Sequence, residues 1–177
     1  MNTTFKIEKP GSHLDHMLRA AQLHLIQLSS MADMKANMLL TMSSVVLTLC
    51  LPQVLKNNHL WPLYILMTFC LLTICLATYA VMPKLPAANL PAPDITSPGF
   101  NLLFFGDFTR LSQAQFESGM QEMMGDHSRT YGTQVRELYI LGTFLAKKKY
   151  RFLRLGYLSF ITGLFAAFIS FIIVALS

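Results

Sequence analysis

Three apolar runs without a single charge limit what this chain can fold into. They cover residues 36–55, 60–81 and 156–176. A helix needs about 20 apolar residues to cross the hydrocarbon core of a bilayer, so each run is long enough to do so. Buried helices of a soluble bundle are the alternative, but residues 60–81 have no polar face that could meet water. The runs therefore predict an all-α integral membrane protein with three transmembrane helices.

The composition agrees with a partly lipid environment. Charged residues make up 13% of the 177 residues, whereas soluble domains contain roughly 25%. Cys50, Cys70 and Cys75 all lie within the apolar runs, and they provide neither a disulfide framework nor a metal-ligand spacing. The first 35 residues contain many polar groups and no early apolar block, so we expect no amino-terminal signal peptide.

The distribution of basic residues predicts the topology. Of the 14 Lys and Arg residues, only Lys56 lies in the loop between the first two runs. Short cytoplasmic segments keep an excess of Lys and Arg, so we expect residues 82–155 and the amino terminus to be cytoplasmic, with the carboxyl terminus on the far side. The basic residues beside the third run fit anionic headgroups, and no motif predicts a nucleic-acid partner.

Residues 1–35 predict a cytoplasmic amphipathic helix. Its apolar residues follow a spacing of 4, 3, 4, 3 and 4, at Leu14, Leu18, Ala21, Leu25, Leu28 and Ala32. This seam packs within the chain or pairs two subunits, and packing within the chain is slightly favoured. No helix breaker separates it from the first run, which leaves open one continuous helix.

Residues 82–155 predict a small, mostly helical cytoplasmic module. Five prolines between positions 83 and 98 predict an extended connector. Residues 101–108, "NLLFFGDF", fit either a strand or an extended plug. A helical hairpin follows, because Ser112 and Gln115 have capping-box spacing and Gly125-Asp126 separates this helix from a second one.

Small residues recur along the third run, where they allow close contact between helices in lipid. They are Gly156, Ser159, Gly163, Ala167 and Ser170. At the start of the first run, Asp33 and Lys35 serve either as interfacial anchors or as a polar contact with the module, through Asp107 or Arg110.

No motif of an enzyme is present: the chain lacks a phosphate-binding glycine loop, a serine elbow and paired catalytic carboxylates. His13 and His16 have a spacing that can bind a metal, but nothing else completes the site. We therefore expect no enzymatic activity, no cofactor and no metal.

Anion binding is the more plausible chemistry of the module. Guanidinium groups hold phosphate by paired hydrogen bonds, and aromatic rings stack on nucleobases, so a small cyclic nucleotide would use both. The candidates are Arg110, Arg129, Arg136, Phe105 and Tyr131. Each of them is equally compatible with a place in the module's own core or surface.

Three segments of the sequence resemble a known family. "ADMKANMLL", "NLLFFGDFTRLSQAQF" and "KKKYRFLRLGYLSFITGL" resemble the transmembrane effectors of bacterial Pycsar antiphage systems, and the resemblance covers roughly residues 28–173. The motif positions are Asp33, Lys35, Asn101, Phe105, Gly106, Lys149, Tyr150 and Arg151. The phosphohydrolase domain of some relatives is missing, so the chain looks like the stand-alone form.

The resemblance implies a mechanism. A partner pyrimidine cyclase makes cyclic CMP or cyclic UMP during infection, and the effector then impairs the bacterial inner membrane, so that the cell dies before phage are released. The carboxyl terminus would then be periplasmic. Three spans do not easily enclose a pore, so we expect a homo-oligomer. A membrane-embedded enzyme and a passive scaffold for a cytoplasmic partner are the alternatives.

Overall fold

The structure, a computed structural model, describes residues 6–7, 9–56, 60–83 and 100–176, and it contains no strand within these ranges. The helices are α1 (Ser12–Lys56), α2 (Trp61–Val81), α3 (Phe105–Phe108), α4 (Gln113–Met124), α5 (His127–Phe144) and α6 (Arg151–Leu176). A π-helical segment, Leu145–Tyr150, joins α5 to α6. Most of the predicted proline connector lies outside the described residues.

Among the described residues, three helices are long and apolar enough to cross a membrane: Ser12–Lys56, Trp61–Val81 and His127–Leu176. This confirms the all-α fold class with three membrane-spanning helices. The predicted amphipathic helix and the first span form one helix of 45 residues. The third span likewise continues a helix that begins at His127.

The chain divides into two compact units. One, which we call the module, comprises Met1–Ile26 and Pro83–Thr143, and the other, the span unit, comprises Gln27–Met82 and Phe144–Ser177. Within each unit the apolar seam of α1 faces inward, since Leu18 in the module and Ala32 in the span unit are buried. The seam therefore packs within the chain, as favoured by the sequence.

The core of the span unit is built from α1, α2 and α6. Its buried members are mostly small or aliphatic: Ala32, Ala36, Leu39, Cys70, Ala77, Leu153 and Phe160. The predicted face of small residues on α6 is confirmed, because all five are buried. A Cβ at Gly163 would overlap the Cβ of Phe69, and the Ser159 hydroxyl donates a hydrogen bond to the Phe69 carbonyl at 3.3 Å. The backbones of α2 and α6 thus meet directly at this point.

The structure of the segment before α4 differs from the prediction. Residues 101–108 form neither a strand nor an extended plug, because a tight turn leads straight into α3. The side-chain oxygen of Asn101 accepts from the Leu103 amide at 3.0 Å, and the Asp107 carboxylate accepts from the Asn101 amide at 2.9 Å. These local hydrogen bonds compete successfully with extended structure. Phe100 and Leu102 are left to pack against Met123 of α4.

The helical hairpin has the predicted ends. The Ser112 side chain accepts from the Gln115 amide and the Gln115 side chain accepts from the Ser112 amide, which is a complete capping box. The Asp126 carboxylate accepts from the Ser128 amide at 2.9 Å and so caps α5. Both helix starts were therefore readable from the sequence.

We expect Gly163→Ala to lower the thermal unfolding midpoint of the detergent-solubilised protein. The added methyl group meets the Phe69 Cβ, and overpacking costs about 1–3 kcal/mol, more than the roughly 1 kcal/mol that alanine gains as a helix former. Gly142→Ala in α5 is the matched control, since its Cβ would lie 3.9 Å from Leu25, an ordinary contact. A midpoint of Gly163→Ala at or above that of the unaltered protein would contradict the close approach of α2 and α6.

Candidate functional site

An irregular helical turn lies in the span unit. Residues Leu145–Tyr150 form a π-helix, in which each amide bonds one residue further back than in an α-helix and the turn is wider. Such insertions are frequent at functional sites. Three successive side chains of this segment, Lys148, Lys149 and Tyr150, each reach another helix or its end.

Lys149 makes an ion pair with α1. Its Nζ lies 2.7 Å from Oδ1 and 2.8 Å from Oδ2 of Asp33, and it donates to the Ser29 hydroxyl at 2.8 Å. The Lys149 side chain is 12% exposed and that of Asp33 is 44% exposed. The Asp33 carboxylate is thus engaged by Lys149 within the span unit, and its contact with Asp107 or Arg110 stays a prediction.

Lys148 and Tyr150 complete these connections. Lys148 is buried and donates to the Met82 carbonyl at the end of α2, at 3.4 Å. Its Nζ also lies 5.3 Å from the centre of the Tyr79 ring, within the range of cation–π attraction. The Tyr150 hydroxyl donates to the Leu28 carbonyl of α1 at 3.1 Å. The π-helical segment thus joins α1 and the end of α2 to α6.

The other motif positions have different surroundings. Lys35 and Arg151 are exposed. Asn101 is 1% exposed and holds the turn before α3. Gly106 is buried in α3, where a Cβ would overlap the Phe104 ring. Asn101 and Gly106 therefore shape the backbone of the module.

The module contains a cavity of about 500 Å³, a size within the range of sites for small molecules. Its polar lining comes from two helices: Asp15, Arg19 and Gln22 of α1, and Gln134 and Glu137 of α5. These positions recur every three or four residues, which places each set on one helix face. Apolar walls are provided by Leu18, Leu103 and Leu138.

The pKa values of one cavity-lining group and of one group bonded to a lining residue are perturbed. The Tyr131 hydroxyl donates to Oδ1 of Asp15 at 2.6 Å, and this hydrogen bond raises the pKa of Tyr131. Burial raises the pKa of Glu137, because a carboxylate loses hydration when it leaves water. The shift of Glu137, which lines the cavity, indicates that its carboxyl group is partly shielded from solvent.

None of the five predicted nucleotide-binding residues lines this cavity. Arg129 is exposed and pairs with Glu122, and Arg136 donates to the Phe100 carbonyl at 3.2 Å. Phe105 is 54% exposed, and Arg110 is partly buried. Tyr131 comes nearest, through its hydrogen bond to Asp15. Sequence reasoning missed Arg19, Gln22, Gln134 and Glu137, because polar residues beside a helical seam usually only meet water.

The described residues hold no group of three or more His, Cys, Asp or Glu side chains that could bind a metal. His13 and His16 both lie exposed on α1.

The family model described as the Pycsar effector protein domain matches residues 16–176. The chain belongs to the Pycsar effector protein family. Together with the three spanning helices, this membership identifies a membrane effector of Pycsar antiphage defence. The Pycsar family consists of effector domains and is not a known enzyme family. Comparison with curated proteins and with solved structures finds no match.

We expect Asp33 and Lys149 to be energetically coupled. Asp33→Asn and Lys149→Met each leave a partly buried partner without its countercharge, so each lowers the thermal midpoint. The double variant should lose less than the sum of the two, with a coupling of roughly 1–2 kcal/mol. Lys147→Met is the control, because Lys147 is exposed. Strict additivity in this cycle would show that the ion pair contributes nothing.

We expect Glu137→Gln to stabilise the protein at neutral pH. The raised pKa of Glu137 means that the folded state binds its proton more tightly than the unfolded state, so stability is full below pH 4.5, the ordinary value, and declines above it. Replacing the carboxyl removes this decline, which should raise the midpoint at pH 7 by roughly 1–3 °C. The difference should vanish near pH 4, whereas the exposed control Glu117→Gln shows no such trend.

Proposed function

We propose that this effector responds to cyclic CMP or cyclic UMP made by a partner pyrimidine cyclase, and that its response impairs the bacterial inner membrane and kills the infected cell. The observation that carries the proposal is the match to the Pycsar effector family, which covers the module and the spans together. The family implies a cyclic nucleotide signal from a cyclase. The proposed target is the bilayer itself. The spans place the protein within the bilayer, where it acts on the membrane directly.

The module is suited to sensing. The excess of Lys and Arg in its segments favours a cytoplasmic location, where a soluble cyclase releases its product. It contains a cavity of about 500 Å³ with both polar and apolar lining, which is the usual character of a ligand site. The proposal therefore assigns sensing to the module and membrane damage to the spans.

The helices supply a physical connection between ligand and membrane. Helix α1 begins in the module and ends at Lys56, and α5 continues through the π-helical segment into α6. A ligand shifts a conformational equilibrium only by its difference in affinity for the two states. We therefore expect the nucleotide to favour one arrangement of these helices, in an assembly of several copies, because three spans alone do not easily enclose a pore.

The decisive experiment uses the full-length protein in liposomes that contain phosphatidylethanolamine, phosphatidylglycerol and an entrapped dye. Cyclic CMP or cyclic UMP should release the dye faster than buffer, because the nucleotide shifts the population towards the arrangement that damages the membrane. Cyclic AMP, cyclic GMP and linear 5′-CMP serve as controls, as do liposomes without protein. Tight binding of a pyrimidine nucleotide without any leakage would instead indicate a passive scaffold. Equal release by all nucleotides would contradict the proposed signal.

A further inference from the structure

We infer that the cavity formed by the first turns of α1 and by α5 is the site where the cyclic nucleotide binds, with Arg19 holding its phosphate. This inference rests on the proposed function, and it names the residues that sequence analysis did not. The cavity lies wholly within the module, since every residue that lines it belongs to that unit.

Among the described residues that line the cavity, Arg19 is the one cation. In the part of the chain that the structure describes, its guanidinium makes no hydrogen bond or ion pair. Its neighbour one turn earlier, Asp15, accepts a hydrogen bond from the Tyr131 hydroxyl at 2.6 Å. A cyclic phosphate carries one negative charge, and an arginine binds such a group through two parallel hydrogen bonds. The Arg19 guanidinium therefore binds the phosphate without first breaking another contact.

The walls of the cavity suit a flat heterocycle. Leu18 of α1 is buried, and Leu138 of α5 and Leu103 of the turn before α3 also line the space. A nucleobase has apolar faces and polar edges, so it gains from burial between aliphatic side chains only if its edges find partners. Aliphatic walls with polar groups at their margin meet this requirement.

Partners for the edge of the base are present. Gln22 and Gln134 line the cavity, and no other described residue hydrogen-bonds to their side chains. A glutamine amide offers two donors and one acceptor, which matches the mixture of donors and acceptors along a pyrimidine edge. Glu137 adds an acceptor for an exocyclic amine. The lining thus provides one charge partner and three edge partners without removing any existing hydrogen bond.

Two of the arginines that the sequence predicts to bind the nucleotide make other contacts in the structure. Arg129 pairs with Glu122, and Arg136 holds the Phe100 carbonyl at 3.2 Å. Recruiting either of them for a ligand would first break that contact. Arg19 requires no such step, and this difference favours the cavity over the surface that carries Arg129.

The test measures binding by calorimetry on the full-length protein in lipid nanodiscs, with cyclic CMP and cyclic UMP as titrants. Arg19→Ala should weaken the affinity about ten- to hundredfold, because it removes a charge-assisted contact. Leu138→Trp should abolish binding by filling the space. The matched controls are Arg154→Ala and Leu164→Trp, both exposed on α6, and they should bind like the unaltered protein. Thermal unfolding verifies that each variant is folded, and if Leu138→Trp is not, Arg19→Ala decides alone.

The outcomes separate this inference from the proposed function. Unchanged affinity of folded Arg19→Ala, with a loss in Arg129→Ala or Arg136→Ala, would overturn the cavity as the site and leave the cyclic-nucleotide effector intact. If the unaltered protein binds neither pyrimidine nucleotide, both the site and the proposed signal are wrong. Weakened binding in Arg19→Ala alone among the arginine variants would establish the assignment.

Discussion

Lipid offers a helix no hydrogen bonds, and it gives two apolar helices no hydrophobic reason to associate. The span unit meets this constraint by letting α2 and α6 approach until Gly163 faces Phe69 without room for a methyl group. Several hydroxyl groups bond the carbonyl four residues earlier, as in Thr68, which donates to the Tyr64 carbonyl at 2.8 Å. Van der Waals contact thereby replaces the driving force that water supplies elsewhere, and the polar contacts at the π-helical segment add to it.

The basic residues beside the third span show how one run of charge serves two purposes. Lys147 is exposed, which suits attraction to anionic headgroups. The two residues that follow it are engaged within the chain: Lys148 with the end of α2 and Lys149 with Asp33. Positive charge at the last carbonyls of a helix is favourable because those groups carry the negative end of the helix dipole. The run therefore contributes to packing as well as to orientation.

Much of the fold could be predicted from the sequence, because hydrophobic length, helix caps and small-residue spacing are local signals. The three spans, the Ser112 cap and the buried face of α6 all follow from such signals. The site could not be predicted in the same way. Arg19 and Glu137 are 118 positions apart by their numbers, and nothing in either local pattern shows that their helices face each other. The turn at Asn101 was missed for a related reason, since the hydrogen bond that the Asn101 amide donates to the Asp107 carboxylate depends on backbone geometry that a run of apolar residues does not reveal.

The π-helical segment has a consequence for the register of the last helix. A wider turn accommodates one more residue than an α-helix would over the same rise. Rewinding residues 145–150 as an α-helix, with no residue removed, would rotate everything downstream by about 100°. The stripe of Gly156, Gly163 and Ala167, now buried, would swing towards the acyl chains, and Phe165 and Phe168, now outward, would turn inward. The same sequence therefore permits a second rotational setting of α6, in which its small-residue face contacts lipid instead of α2.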